Sequence, residues 1–347
     1  MLTDKYLEES GDEVSNEFST LETVLLVWMG LRLRNLSNIE NIGNDYPKWK
    51  NKAIAEFNKY SGTEFGKTKK TSLDMVKNAV VNGVTLTIEN VYNRLKKTDD
   101  KLKKKNILIN GKKDLNKGIK STQNELKNLC NISNKCANKQ FIKACDDAYS
   151  KIIAGQDAEN AIESSIKKLV QNGIEVIGYT KNNTSMDAAV RRAVTSGVNQ
   201  TSLKIKIANC EKFGINIVKT SSHGGARPDH ARWQGQFFYL DKPVKGLKKF
   251  KSSTGYGKVD GLGGANCRHS FYEVTNYEYE NNLVNDEEFE LNRNNEQYEL
   301  EQKQRYYERQ IRKWKKRKNV LDECGVDSTK ESKKIKYWQN KRSQFIK

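Results

Sequence analysis

Proline occurs at only three positions in this 347-residue chain: Pro47, Pro228 and Pro243. A proline removes a backbone donor and clashes with the preceding turn, so it is the strongest local stop that a helix meets. Long stretches here contain no such stop, and helix is the expected default over most of the chain. The hydrophobic fraction is 36% and the charged fraction 30%. An average globular chain has about 45–50% apolar residues with glycine included, and about 25% charged ones. The sequence therefore predicts a long, polar, mostly helical molecule with a modest core.

Apolar spacing supports this. Phe18, Leu21, Leu25, Trp28 and Leu36 recur at steps of three, four and eight, which places them on one helical face. A break is expected at Asn44–Pro47, then a helix over 48–59 with Trp49, Ala53 and Phe57 inward. Gly62 and Gly66 are expected to interrupt again, before a helix over 73–95 with an ambiguous Val/Thr-rich centre. Cys130, Cys136 and Cys145 do not share a face and read as small buried hydrophobes. The pattern changes after Gly173. A short strand is expected over 174–179, and Thr184 or Ser185 is placed to cap a long helix. That helix carries Val190, Val194, Val198, Thr201, Ile205 and Ala208 and stops at Gly214. Strands are expected over 215–218 and 270–274, with Gly-rich loops and short strands over 221–266. Leu300, Tyr307, Ile311, Trp314 and Leu321 share the face of a last long helix. The expected fold class is α+β, predominantly helical, with a small mixed α/β core and a long C-terminal helix. Its parts are a helical N-terminal region (1–172), the core (173–275), and an acidic linker with a basic helix (276–347).

Charge is unevenly spread over a net of +19. Residues 94–120 hold eleven Lys/Arg against three Asp, and residues 305–318 hold eight against Glu308. The tail, 330–347, holds seven against Glu331, whereas 278–301 holds nine acids against Arg293. Such runs are either solvated helix faces or strips that meet phosphate or an oppositely charged protein. No helix-turn-helix, ribonucleoprotein or zinc-finger pattern accompanies them, so any contact with duplex DNA is expected to be non-specific. The longest apolar run, Val24–Leu31, is far short of the ~20 residues of a membrane span. The acidic start, MLTDKYLEESGDE, has no apolar signal region. Six cysteines in a reducing cytosol are expected as thiols or metal ligands rather than as a disulfide framework.

All three histidines fall in one window: His223, His230 and His269, joined by Cys267 and many glycines. Irregular backbone cannot satisfy its own polar groups, so something must order these loops. One reading is a closed tetrahedral zinc site of His223, His230, Cys267 and His269, four nitrogen and sulfur ligands. Another is that the same side chains hydrogen-bond loop carbonyls without metal. Arg227, Trp233, Asn266 and Arg268 read as residues that order the loops, by guanidinium forks, apolar anchoring and turn formation. A third reading pairs the histidines with Asp229, Asp241 and Asp260 in a metal-dependent nuclease site. No nucleophile–base–orienter set is defined by spacing, and no small-molecule substrate is indicated.

Four strings carry a resemblance: DAAVRRAVTSGVNQT (187–201), SSHGGARPDHARWQG (221–235), GYGKVDGLGGANCRHSF (255–271) and YELEQKQRYYERQIRKWKKR (298–317). In order and spacing they resemble the phage minor capsid protein 2 family, tailed-phage head proteins related to the Mu-F group. Members often carry Cys at the position of Gly263, and a proline-rich turn where this chain has FYEVTNYEYENN. The resemblance implies a Mu-F-like α+β core over 173–275. It also implies a non-enzymatic structural protein of the phage head, in the virion and in the host cytoplasm during assembly. The implied partners are the portal protein and other head proteins, with a role in head morphogenesis and DNA packaging. The alternative is a nuclease or toxin-like protein carried in the head. Cys and His residues lie at similar places in the Mu-F group, which the zinc reading shares.

Overall fold

The computed structural model describes residues 2–97, 103–176, 184–281 and 291–346. Among these, ten α-helices are α1 (Asp4–Arg34), α2 (Ile42–Leu95), α3 (Lys104–Ile153), α4 (Ala158–Asn172), α5 (Met186–Phe213), α6 (Pro228–Ala231), α7 (Phe250–Thr254), α8 (Asn276–Glu280), α9 (Leu291–Glu323) and α10 (Thr329–Ile346). The strands are β1 (Glu175–Val176), β2 (Thr184–Ser185), β3 (Ile217–Thr220), β4 (Phe237–Tyr239), β5 (Lys248–Lys249) and β6 (Phe271–Val274). The fold is a predominantly helical α+β, as the sequence predicts.

The expected breaks near Pro47, Gly62 and Gly66 do not occur, because α2 runs unbroken for 54 residues. Pro47 lies in its second turn, where it removes a single backbone bond. At Gly62 and Gly66 an added Cβ would meet nothing within 4 Å. A helical glycine costs only about 1 kcal/mol relative to alanine, and Phe57, Phe65, Val76, Val80, Val84 and Val91 are buried along the same helix. Thr184 and Ser185 form β2 rather than a free cap. Residues 177–179, the end of the expected strand over 174–179, lie outside the described residues. Cys130 and Cys145 are buried, and Cys136 is half-buried.

The chain forms two compact units built from interleaved segments. One comprises Ser15–Ser72, Lys127–Val190 and Lys303–Lys347. Its aromatic centre is Trp28, whose ring lies 5.3 Å from Phe57, 5.5 Å from Tyr60 and 5.6 Å from Phe141. Glu22, 1% exposed, accepts from the Ile174 amide at 2.5 Å and pairs with Lys316. Burial pushes its carboxyl above the ordinary range, against the pull of Lys316. Gly173 turns there at φ +69, and a Cβ on it would come within 2.3 Å of the Glu22 carboxylate. Removing one partner of a buried ion pair costs about 3–5 kcal/mol. Glu22→Ala is therefore expected to lower the denaturant midpoint sharply. A change below about 1 kcal/mol would mean that Glu22 is not held in this cage.

The other unit comprises Met1–Val14, Leu73–Leu126 and Arg191–Gln302. Its sheet has the order β5-β4-β3-β6, antiparallel except for the β4–β5 pair. Val218 of β3 faces Phe238 of β4 and Glu273 of β6. Leu203 and Cys210 of α5 pack with Val218, Trp233, Phe238, Phe250, Leu262 and Phe271 in one core. Lys206, buried on the same helix, donates to the Phe271 carbonyl of β6. The placement of α5 depends on small residues. A Cβ on Gly118 of α3 would lie 2.1 Å from Thr201 Oγ1, and one on Gly197 of α5 would lie 2.2 Å from Thr122 Oγ1. Thr122 and Thr201 turn their hydroxyls back onto the Gly118 and Gly197 carbonyls four residues earlier, at 2.9 and 2.7 Å. The two helices thus meet by a reciprocal Gly–Thr fit. Gly197→Ala is expected to cost about 1–3 kcal/mol through overpacking, read as a lower denaturation midpoint. An unchanged midpoint would show that the helices do not approach this closely.

Candidate metal centre

The histidine window lies within the sheet-bearing unit. Arg227 precedes α6, with Pro228 at the first helical position, where its fixed φ suits a helix start. The Arg227 carbonyl accepts from the His230 and Ala231 amides, both at 2.9 Å, so His230 is set on one short, rigid turn. Cys267 and His269 lie on the extended approach to β6. Asn266, just before them, is left-handed at φ +56, a conformation that asparagine tolerates better than most residues. The Ser221 amide donates to the Ser270 carbonyl at 3.0 Å, and the Ser270 amide to Ser221 Oγ at 2.9 Å. Those bonds continue the β3–β6 ladder up to the site. Asn199 Nδ2 of α5 donates to the Cys267 carbonyl at 2.7 Å and to the His269 carbonyl at 3.3 Å.

These elements bring His230, Cys267 and His269 together, all buried, with their ligand atoms within 4.8 Å of one another. His269 Nδ1 lies 3.4 Å from His230 Nδ1 and 3.6 Å from Cys267 Sγ. His223 is the neighbour of this set rather than a member. Its ring stacks on that of His269 with centroids 4.2 Å apart, and its Nδ1 lies 3.0 Å from the Gly224 carbonyl.

The His269 tautomer follows from obligate donors and acceptors. Gln234 Oε1 accepts the His223 backbone N–H at 2.8 Å, which fixes that carboxamide atom as oxygen. The same oxygen lies 2.8 Å from His269 Nε2, so Nε2 carries the proton and Nδ1 bears a lone pair. His230 Nε2 lies 2.7 Å from the Asp260 carbonyl and 2.8 Å from Arg227 Nη2. The carbonyl asks for a proton on that nitrogen and the guanidinium for a lone pair. The two demands oppose each other at one nitrogen, and these contacts alone do not assign the His230 proton. Burial pushes the His269 imidazole well below its usual range, helped by His223, His230 and two arginines. It lowers His230 as well, although the Asp260 bond opposes it. Burial thus favours the neutral form of both rings.

The residues expected to order the loops are placed as follows. The Trp233 ring lies 4.9 Å from His230 and 4.7 Å from His269, and belongs to the core. Arg227 meets His230 as described. Arg268 turns away from the cluster to Glu8 at 2.9 Å and Glu301 at 3.9 Å. Asn266 acts through its backbone turn, with an exposed side chain. Among the described residues, no carboxylate joins the His230–Cys267–His269 group. Asp260 offers its backbone carbonyl, and Asp229 stands 4.0 Å from His230 with an exposed side chain. Gly263 has φ +75, and a Cβ there would come within 2.6 Å of Leu203.

The family model of phage minor capsid protein 2 matches residues 2–347. The chain belongs to that family. No curated protein and no solved structure matches it. Membership makes it a phage structural protein of the virion, with other head proteins as its partners. Among the described residues, no helix is long and apolar enough to cross a membrane.

Two residues of the centre, Asn199 and Gln234, carry no signal in residue type or spacing. Asn199 lies beside the Val194–Val198 stripe, and Gln234 follows the more conspicuous Trp233. In this minor capsid protein Asn199→Ala would strand two buried carbonyls. An unsatisfied buried group costs about 1–3 kcal/mol, so a lower midpoint in chemical denaturation is expected. Wild-type stability in that variant would remove Asn199 from the centre's support.

Proposed function

We propose that this minor capsid protein is a non-enzymatic component at or near the portal vertex. It docks on the portal and other head proteins, supports head assembly and DNA packaging, and touches duplex DNA without sequence preference. Assembly takes place in the host cytoplasm. The observation that supports this beyond family membership is the predominantly basic exposed surface of α9 and α10. Arg309, Arg312, Lys313 and Lys315 are exposed on α9, as are Lys330, Lys333, Lys334, Lys336 and Lys341 on α10. Three of the nearby acids are engaged internally: Glu331 with Arg317 at 3.1 Å, Glu308 with Arg342 at 3.2 Å, and Asp322 with Lys318. Acids of the 278–301 run are also partly engaged. Glu278 forms a capping box with Thr275 and pairs with Arg94, and Glu301 faces Arg268. The rest of that run, residues 282–290, lies outside the described residues. The docking surface is therefore basic more than it is a pair of complementary strips, and complementary potential favours an acidic protein or phosphate.

Co-purification with tagged portal protein is the direct test, and retention is expected. Changing Arg309, Arg312, Lys313 and Lys315 to Glu is expected to abolish it while leaving the circular dichroism spectrum unchanged. Binding to duplex DNA is expected to weaken steeply with salt, since each neutralised phosphate contributes a slope of about −0.9 in log K against log salt. No portal association, together with DNA cleavage lost in His230→Ala and Asp260→Ala, would reverse the reading towards a nuclease.

A further inference from the structure

We infer that His230 Nδ1, Cys267 Sγ and His269 Nδ1 bind one zinc-type transition-metal ion. The spacing is the first argument. Zn–N bonds of about 2.0–2.1 Å and a Zn–S bond of about 2.3 Å at tetrahedral angles place two ligand nitrogens about 3.3–3.4 Å apart, and nitrogen and sulfur about 3.6 Å apart. The structure has 3.4 Å between the two Nδ1 atoms and 3.6 Å between His269 Nδ1 and Cys267 Sγ. Two edges of the triad thus match a coordination tetrahedron, and all three ligand atoms lie within 4.8 Å of one another.

The second argument is the proton inventory. His269 Nδ1 carries a lone pair that faces His230 Nδ1 at 3.4 Å and the Cys267 sulfur at 3.6 Å. A cation at the meeting point of these three atoms would take that lone pair. The third argument is what the far side of each ring does. A metal-bound histidine donates its other N–H to a carbonyl or carboxylate, which fixes tautomer and orientation. His230 Nε2 meets the Asp260 carbonyl and His269 Nε2 meets the Gln234 carboxamide, and Gln234 is itself held by the His223 amide. The donor set, two imidazoles and one thiolate, suits zinc and excludes hard cations such as magnesium and calcium. Binding removes the Cys267 proton to solvent and leaves a thiolate–metal bond. His223 lies against the ring face of His269 as a wall of the site. The ion would tie α6 to the approach to β6 across the loop between residues 230 and 269.

The test uses the full chain, produced with zinc and, separately, in cobalt-supplemented medium. One equivalent of zinc is expected by elemental analysis. The cobalt form is expected to show a thiolate-to-metal charge-transfer band and intense tetrahedral ligand-field bands. Cys267→Ser is expected to lose the charge-transfer band, whereas His223→Gln is expected to keep both band and stoichiometry. Less than a tenth of an equivalent of either metal in folded wild-type protein would overturn the site, and that result needs no variant to fold. A charge-transfer band that persists in Cys267→Ser would also overturn it, and loss of metal in His223→Gln would overturn the three-residue ligand set. None of these readings depends on portal binding, so the site and the proposed function fail separately.

Discussion

The centre of the sheet-bearing unit depends on one carboxamide. Asn199 sends its two N–H bonds to the carbonyls of Cys267 and His269, the two ends of a dipeptide step that no strand pairing reaches. Without that clamp the approach to β6 would have two buried acceptors with no donor, and the Cys267 and His269 side chains would have no fixed direction. One helix side chain thus does for three residues what a ladder of backbone bonds does in a regular strand.

Asn199 is itself held by packing that contains no polar chemistry at the site. It lies between Gly197 and Thr201, the two α5 residues that interlock with Thr122 and Gly118 of α3. The interlock sets the depth at which α5 sits, and Lys206, two turns on, fastens the same helix to the Phe271 carbonyl. Geometry at the cluster is therefore inherited from helix packing through α5. A substitution at Gly118 or Gly197 touches none of the three cluster residues, yet it moves the group that orients them. Packed interiors transmit such shifts because they have little free volume to absorb them.

The helical character and the sheet strands were legible because each rests on local rules. The step of three and four along Val190–Ala208 and the stop at Gly214 agree with what folds, and the strands expected over 215–218 and 270–274 overlap β3 and β6. The continuity of α2 was not legible. Pro47, Gly62 and Gly66 are local breakers, but the buried Phe57 and Phe65 outweigh them, and burial is not a local property. At the site, residue type alone singled out His230, Cys267 and His269. His223 has the same chemistry, but ring stacking on His269 gives it a different place. Asn199 and Gln234 escaped because an amide looks the same in a sequence whether it faces water or clamps a buried carbonyl.

The other unit shows how a strongly charged helix is retained. Lys330, Lys333 and Lys334 on α10 stand at three- and four-residue spacing with exposed side chains, an arrangement that destabilises an isolated helix. The helix is held by its other face. Trp338 meets Tyr306 at 5.6 Å and Tyr307 at 6.1 Å, and Phe345 meets Tyr307 at 5.7 Å. Glu331 is buried against Arg317, which also lies 4.2 Å over the Trp314 ring. Aromatic packing and one buried ion pair thus offset a repulsion that neutral side chains at the same positions would remove. An anionic partner laid along that face would cancel the repulsion and release counterions in the same step. The face most unfavourable to the isolated chain is then the one with most to gain from assembly. That asymmetry is what the proposed docking of α9 and α10 on an acidic or phosphate surface rests on.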